Sequence, residues 1–250
     1  MNKNLIQYIF GIADNCLILG QRLGELCGHG PSLETDIAMT NISLDLLGQT
    51  RSYYQYVAKL QGGDATEDTV AFLRLEREYK NVLLVEQPNT DFAYSIARQF
   101  FFDVFHLALL NELQNSKDEM LKAIANKSIK EVSYHVRFSS DWTKRLGDGT
   151  EESHQKIQTA INDLWIFTDE LFHQTDADKD MVQQGIGVDV TLLKDEYYKK
   201  VSSILEEATL EIPQVEYFQK GGKMGVHSEH MGYLLSDLQY MQRTYPNMTW

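Results

Sequence analysis

Four acids recur along this chain at near-equal intervals. Asp45, Glu76, Asp103 and Glu131 are separated by 31, 27 and 28 residues. Two of them open a Glu-x-x-Tyr, Glu76 with Tyr79 and Glu131 with Tyr134. His106 follows Asp103 by three positions, and His135 follows Glu131 by four. Residues at those spacings share one face of a helix. A carboxylate and an imidazole so placed can offer two ligands to one metal ion, and four such helices can enclose a pair of oxygen-activating ions. Here Tyr stands twice where an imidazole would be needed, and neutral phenol is a poor substitute. His106 and His135 could supply only an irregular, displaced cage. The degenerate candidates are therefore Asp45, Glu76, Tyr79, Asp103, His106, Glu131, Tyr134 and His135. No metal is expected among them. Their carboxyls are expected to be satisfied by Tyr, His, Gln or Arg from neighbouring helices, as buried polar groups usually are.

Helical periodicity places these residues. The spacing predicts helices over 4–27, 32–60, 67–80, 90–115, 117–146, 150–173, 190–208 and 227–244. The four prolines, Pro31, Pro88, Pro213 and Pro246, fall between them, where a helix breaker is tolerated. Thr150 is the expected cap of the sixth helix, with Glu151 and Glu152 favoured in its first turn by the helix dipole. Ser32 is the expected cap of the second. Stretches 174–190 and 209–226 are expected to be loops. No alternating strand pattern appears. In the second helix, Glu34, Ala38, Asn41, Asp45, Gln49, Ser52 and Tyr56 make one polar stripe flanked by Ile37, Ile42, Leu44 and Leu46, so a central position is expected. In the fourth, Asp103 shares its face with Ile96, Phe100, Leu107 and Leu110, and a carboxylate buried there requires a partner. The expected fold is all-α: a single domain over 1–250, built as a bundle with additional peripheral helices. The order acid, Glu-x-x-Tyr, acid, Glu-x-x-Tyr follows the ferritin-like scheme without its histidines.

Composition restricts the partners. Of 250 residues, 43% are hydrophobic and 24% charged, enough for a substantial core. A net charge of -13 repels phosphate backbones, which argues against nucleic acid and anionic membrane. Cys16 and Cys27 are expected on one helix about 16 Å apart, beyond disulfide reach, as small core residues of a reducing compartment. Asp14 and Asn15 interrupt the first apolar stretch, so it lacks signal-peptide form, and no run is long enough to span a membrane. A soluble cytoplasmic protein is expected.

Other motifs carry less. Glu151 and His154 form a literal Glu-x-x-His, but at an acid-rich helix start where capping explains them. His227, Ser228, Glu229 and His230 open the last helix, where docking is expected rather than metal or anion binding. "KGGK" lacks Walker spacing, and no Gly-x-Ser-x-Gly is present. The aromatic stretch "QFFFDVFHL" covers every side of its helix, as a deep core position would.

Long segments then match a known family in order. "SLETDIAMTNISLDLLGQTRSYY", "LLVEQPNTDFAYSIARQFFFDVFHLALL", "IKEVSYHVRFSSDWTKRLGDGTEES", "INDLWIFTDELF" and "GVHSEHMGYLLSDLQYMQR" closely resemble the PaaC family, the structural subunits of bacterial phenylacetyl-CoA ring epoxidases. The resemblance runs over almost the whole chain and is weakest around 174–200. It implies a ferritin-like fold and a place in phenylacetate catabolism. It implies pairing with a related catalytic subunit, PaaA, within a complex of further subunits. PaaA would carry the di-iron centre and epoxidise the ring with oxygen and electrons from a reductase. This chain would hold no cofactor and no catalytic residue, and would stabilise its partner. The second and fourth helices are the expected contact elements, and a homodimer is open to the chain when alone. The rival reading is a metal-bearing oxidase using Asp45, Glu76, Asp103, His106, Glu131 and His135. A weaker one has Lys220, Lys223 and Arg243 meeting CoA phosphates.

Overall fold

A computed structural model describes residues 3–246 and 248. Two helical hairpins form its centre. The first joins α1 (Lys3–Gly24) to α2 (Leu33–Gln61), and the second joins α4 (Phe92–Leu113) to α5 (Glu119–Gly147). Between them runs one long crossover, which begins with the short α3 (Glu67–Phe72). Two hairpins linked by a single long crossover are the ferritin-like arrangement. Around this core, α6 (Glu151–Trp165) packs on α4 and α5, α7 (Asp176–Gln183) on α1, and α8 (Lys194–Glu207) on α4 and α5. The last helix, α9 (Glu229–Thr244), lies on α3 and the crossover. The described residues contain no strand, and one apolar cluster runs through them.

The caps set the helix starts. Ser32 Oγ accepts the Thr35 N–H at 3.3 Å, with Glu34 and Asp36 in the first turn of α2. Asp91 caps α4 and Asp118 caps α5. Thr150 accepts the Ser153 N–H, as expected, and Glu151 and Glu152 follow it. The expected loop at 174–190 contains α7, started by a reciprocal capping pair, Thr175 with Asp178.

The largest departure is the third helix. It was expected over 67–80 but ends at Phe72. Arg74 is the reason. Its Nε donates to the Val70 carbonyl at 2.7 Å, taking the acceptor that its own backbone N–H would use in a helix. Its guanidinium then turns inward to Asp14 on α1, with Nη1 and Nη2 at 2.9 and 2.7 Å from the two carboxylate oxygens. The rings of Phe10 and Tyr79 flank it, 4.2 and 4.1 Å from their centroids. From Lys80 to Leu83 the backbone is held from outside instead of by α-helix bonds. Lys80 N–H donates to Asp14 (2.7 Å), Val82 N–H to Asn15 (2.8 Å) and Leu83 N–H to Glu170 (2.7 Å). A run of orphan N–H groups is thereby satisfied without a helix.

Two further expectations change. The expected central helices were the second and fourth. The structure encloses α1 and α4, while α2 leaves one side bare, with Leu33 70%, Ile37 50% and Leu44 59% exposed. α1 stops at Gly24, so Cys27 lies beyond it and is exposed, and only Cys16 is in the core.

Candidate functional site

Three core helices each present a pair of polar side chains one turn apart. Asp45 and Gln49 come from α2, Asp103 and His106 from α4, and Glu131 and His135 from α5. α1 adds Cys16 beside them. Asp45 pairs with His135 and Asp103 is held by Gln99 and Ser139, while the other four share one partly buried network.

Gln49 is its centre. Its Oε1 accepts the His106 Nε2–H at 2.8 Å, and its Nε2 donates to Glu131 Oε2 at 3.3 Å. Facing a carboxylate fixes the amide's orientation, because only its NH2 can donate there. The oxygen therefore faces His106, whose proton must lie on Nε2. Cys16 Sγ stands 4.0 Å from the same Oε1. Beside this, His135 Nε2 donates to Asp45 Oδ2 at 3.0 Å. Asp103 accepts from Gln99 Nε2 at 2.5 Å and from Ser139 Oγ at 2.8 Å.

The electrostatics follow from burial. Burial pushes the Asp103 carboxyl well above the usual carboxylate range, although the Ser139 and Gln99 hydrogen bonds pull the other way. Burial, with His135 nearby, drops the His106 imidazole to about 3. Burial also lowers His135, against the opposing pull of Asp45. The His135–Asp45 contact is therefore a neutral donor on a carboxylate. Glu131 is raised by burial and by the charge of Asp45.

A pair of oxygen-activating metal ions does not fit this donor set. Such ions require ionised carboxylates and bare imidazole nitrogens. Here His106 Nε2 and His135 Nε2 are engaged by Gln49 and Asp45, and the two Asp103 oxygens by Gln99 and Ser139. His135 Nδ1 is buried without a partner, but one lone pair is not a site. Among the described residues no three His, Cys, Asp or Glu side chains converge to hold an ion.

Five of the eight sequence candidates meet here: Asp45, Asp103, His106, Glu131 and His135. Three do not. Glu76 is exposed on a single 3-10 turn of the crossover, Glu76–Glu78, because the predicted helix had already ended. Tyr79 is buried outside the network, donating to the Ala71 carbonyl at 2.6 Å. Tyr134 points outward from α5, 38% exposed. The fourth helix of the bundle is α1, not the predicted third helix. Glu151 and His154 serve the α5–α6 corner, where His154 Nδ1 meets the Gly147 carbonyl. Lys220, Lys223 and Arg243 form no common anion site, since Arg243 donates to the Arg74 carbonyl and Lys223 to that of His173.

Sequence reasoning missed three buried acids that tie the crossover down. Asp14 holds Arg74. Glu86 accepts the Ser228 N–H (2.9 Å) and faces His227 Nδ1 (3.2 Å), fastening the crossover to the start of α9. Glu170 accepts the N–H groups of Leu83 and Gly221. Asp14 inside an apolar helix was a visible signal, but Glu86 and Glu170 carried none.

A family model described as phenylacetic acid catabolic protein matches residues 1–250. The chain is also 50% identical, over 250 residues covering 100% of both sequences, to a protein of Escherichia coli (strain K12) named as the C component of 1,2-phenylacetyl-CoA epoxidase. With its full length matched and its hairpin-and-crossover fold in place, the chain belongs to the phenylacetic acid catabolic protein family.

Proposed function

We propose that this chain is the non-catalytic structural subunit of a phenylacetyl-CoA ring epoxidase, pairing with and stabilising a related subunit, PaaA, that carries the di-iron centre. The observation that carries this is the Gln49 amide, which links His106 to Glu131 by hydrogen bonds where a catalytic homologue would need free ligands. The full-length likeness to a component of 1,2-phenylacetyl-CoA epoxidase supplies the reaction.

The bare side of α2 supports a permanent partner. Leu33, Ile37, Leu44 and Gly48 fall within one narrow sector of the helix, and Gly48 has no neighbour that a Cβ would meet. Glycine there lets another backbone approach closely. On the adjoining α5, Arg137 lies over the Tyr134 ring and Arg145 over Trp142. Aromatic residues and arginine are enriched at interface cores. Permanent interfaces commonly bury over about 2,000 Å², and a rigid bundle on that face would keep the partner's ligand-bearing helices preorganised. In the partner's absence the same face is open to a second copy. No helix among the described residues is long and apolar enough to cross a membrane, and both thiols are free. The proposed setting is the cytoplasm.

Co-expression with the catalytic PaaA chain tests this. Soluble complex and epoxidase activity are expected only with both chains, and Leu44→Glu is expected to break the complex while this chain stays folded. A PaaA chain fully soluble and active alone would contradict the proposal.

A further inference from the structure

A cleft of about 230 Å³ opens between α1, α4 and the start of α7. None of its lining residues belongs to the Gln49 network. Ile12, Phe105, Leu109 and Val190 give it an apolar wall, and Lys80 and Lys223 also line it.

Gly11 is the informative residue. It lies inside α1 and lines the cleft. Glycine inside a helix is destabilising relative to alanine. A Cβ built on Gly11 meets no atom within 4 Å, so packing does not require glycine there. What glycine provides is open volume on the cleft side and a backbone that a bound molecule can approach closely.

Lys80 and Lys223 are the cations of the lining. An ammonium has three donors. Lys80 Nζ uses one, on the Arg77 carbonyl at 3.2 Å, and Lys223 Nζ uses two, on the carbonyls of His173 (2.7 Å) and Leu171 (3.4 Å). Neither ammonium makes an ion pair within the described residues. Two acids also line the cleft. Asp178 is engaged, with Oδ2 accepting the Thr175 N–H at 2.8 Å. Asp176 is fully exposed, 3.9 Å from Lys179 Nζ. Burial lowers the pKa of both Lys80 and Lys223, against the charges of Asp14 and Glu78 on Lys80 and of Asp178 and Glu170 on Lys223, so an anion beside them would relieve the cost these acids leave. A dry cavity of about 150 Å³ accepts one benzene ring, so this cleft has room for a ring and a short polar arm.

We propose that this cleft binds a small carboxylate with a compact apolar body, a single aromatic ring or a branched chain. The carboxylate lies at Lys80 and Lys223, and the body lies against Ile12, Phe105 and Leu109. The proposal is independent of the pairing on α2, so either can fail alone.

Titration calorimetry of the full chain with benzoate tests it, with benzylamine as the opposite-charge control. Saturable one-to-one benzoate binding is expected, with benzylamine at least about tenfold weaker. Gly11→Leu fills the cleft and abolishes benzoate binding while the thermal midpoint holds or rises. Lys80→Met weakens binding by about tenfold, and keeps the test decisive should Gly11→Leu fail to fold. Absence of saturable benzoate binding, equal binding of benzylamine, or full binding by folded Gly11→Leu or Lys80→Met would overturn the assignment.

Discussion

Gln49 on α2 and His106 on α4 meet at 2.8 Å, the imidazole donating its Nε2 proton to the amide oxygen. The same amide donates to Glu131 on α5. One neutral side chain therefore joins three helices, as a bridging metal could. Gln49→Leu keeps the volume but leaves His106 and Glu131 unpaired. Loss of about 1–3 kcal/mol is expected, since His106 is left buried and unsatisfied while the half-buried Glu131 can turn to water. Urea unfolding measures it, and a change below about 0.5 kcal/mol would remove Gln49 from the centre of the network.

His106 makes the fold acid-sensitive. Burial, with His135 nearby, holds its folded value at about 3, while the ordinary histidine value is 6.5. As pH falls from 6.5 toward 3, the unfolded chain takes up this proton and the folded chain does not. The contribution to stability is thus complete above the unfolded value and declines as pH falls through that window. His106→Gln is expected to flatten the decline by up to about 1.4 kcal/mol per pH unit. Urea unfolding at pH 7, 6, 5 and 4 reads it. Identical slopes for the two proteins would show that His106 does not titrate as described.

The latch between the crossover and α9 has the opposite sign. His227 Nδ1 faces Glu86 Oε2 at 3.2 Å and Nε2 faces the Tyr79 carbonyl at 3.1 Å. Acceptors on both nitrogens call for a doubly protonated ring. Burial opposes that charge, but Glu86, with the Tyr79 carbonyl and Glu76, outweighs it and the pKa is raised above 6.5. This stabilisation is complete below the unfolded value and lost as pH rises through the raised folded one. Amide exchange across Glu229–Thr244 is expected to quicken over that rise, beyond its ordinary base catalysis, in wild type but not in His227→Gln. Matching pH profiles would contradict the latch.

Arg74 ends α3 and pairs with Asp14, whose side chain is fully buried. Removing one partner of such a pair strands the other charge. Arg74→Ala is expected to destabilise by about 3–5 kcal/mol, read as a fall in thermal midpoint together with faster exchange in residues 73–91. A loss under about 1 kcal/mol would place the stability of the crossover elsewhere.

Much of the architecture was legible because long amphipathic helices carry their own period and caps. Ser32 and Thr150 marked their helix starts through short-range hydrogen bonds. The crossover was not legible. The helix-like pattern through "LRLEREY" is overridden by a tertiary partner 60 residues away, Asp14. That error exchanged α1 for the predicted third helix and brought Glu76 and Tyr79 into a site they do not join. Asp103, His106 and His135 were found because a polar group on an apolar face is conspicuous. Gln49 was visible in the polar stripe of α2, but its role depends on two other helices and has no local signature.

On the proposed function, this chain supports a metal site without holding one. Iron analysis of the purified full-length chain, expressed alone in iron-replete medium, decides this. Iron far below one atom per chain, unchanged by Glu131→Ala, is expected. About two irons per chain, lost in Glu131→Ala, would contradict it and restore the oxidase reading.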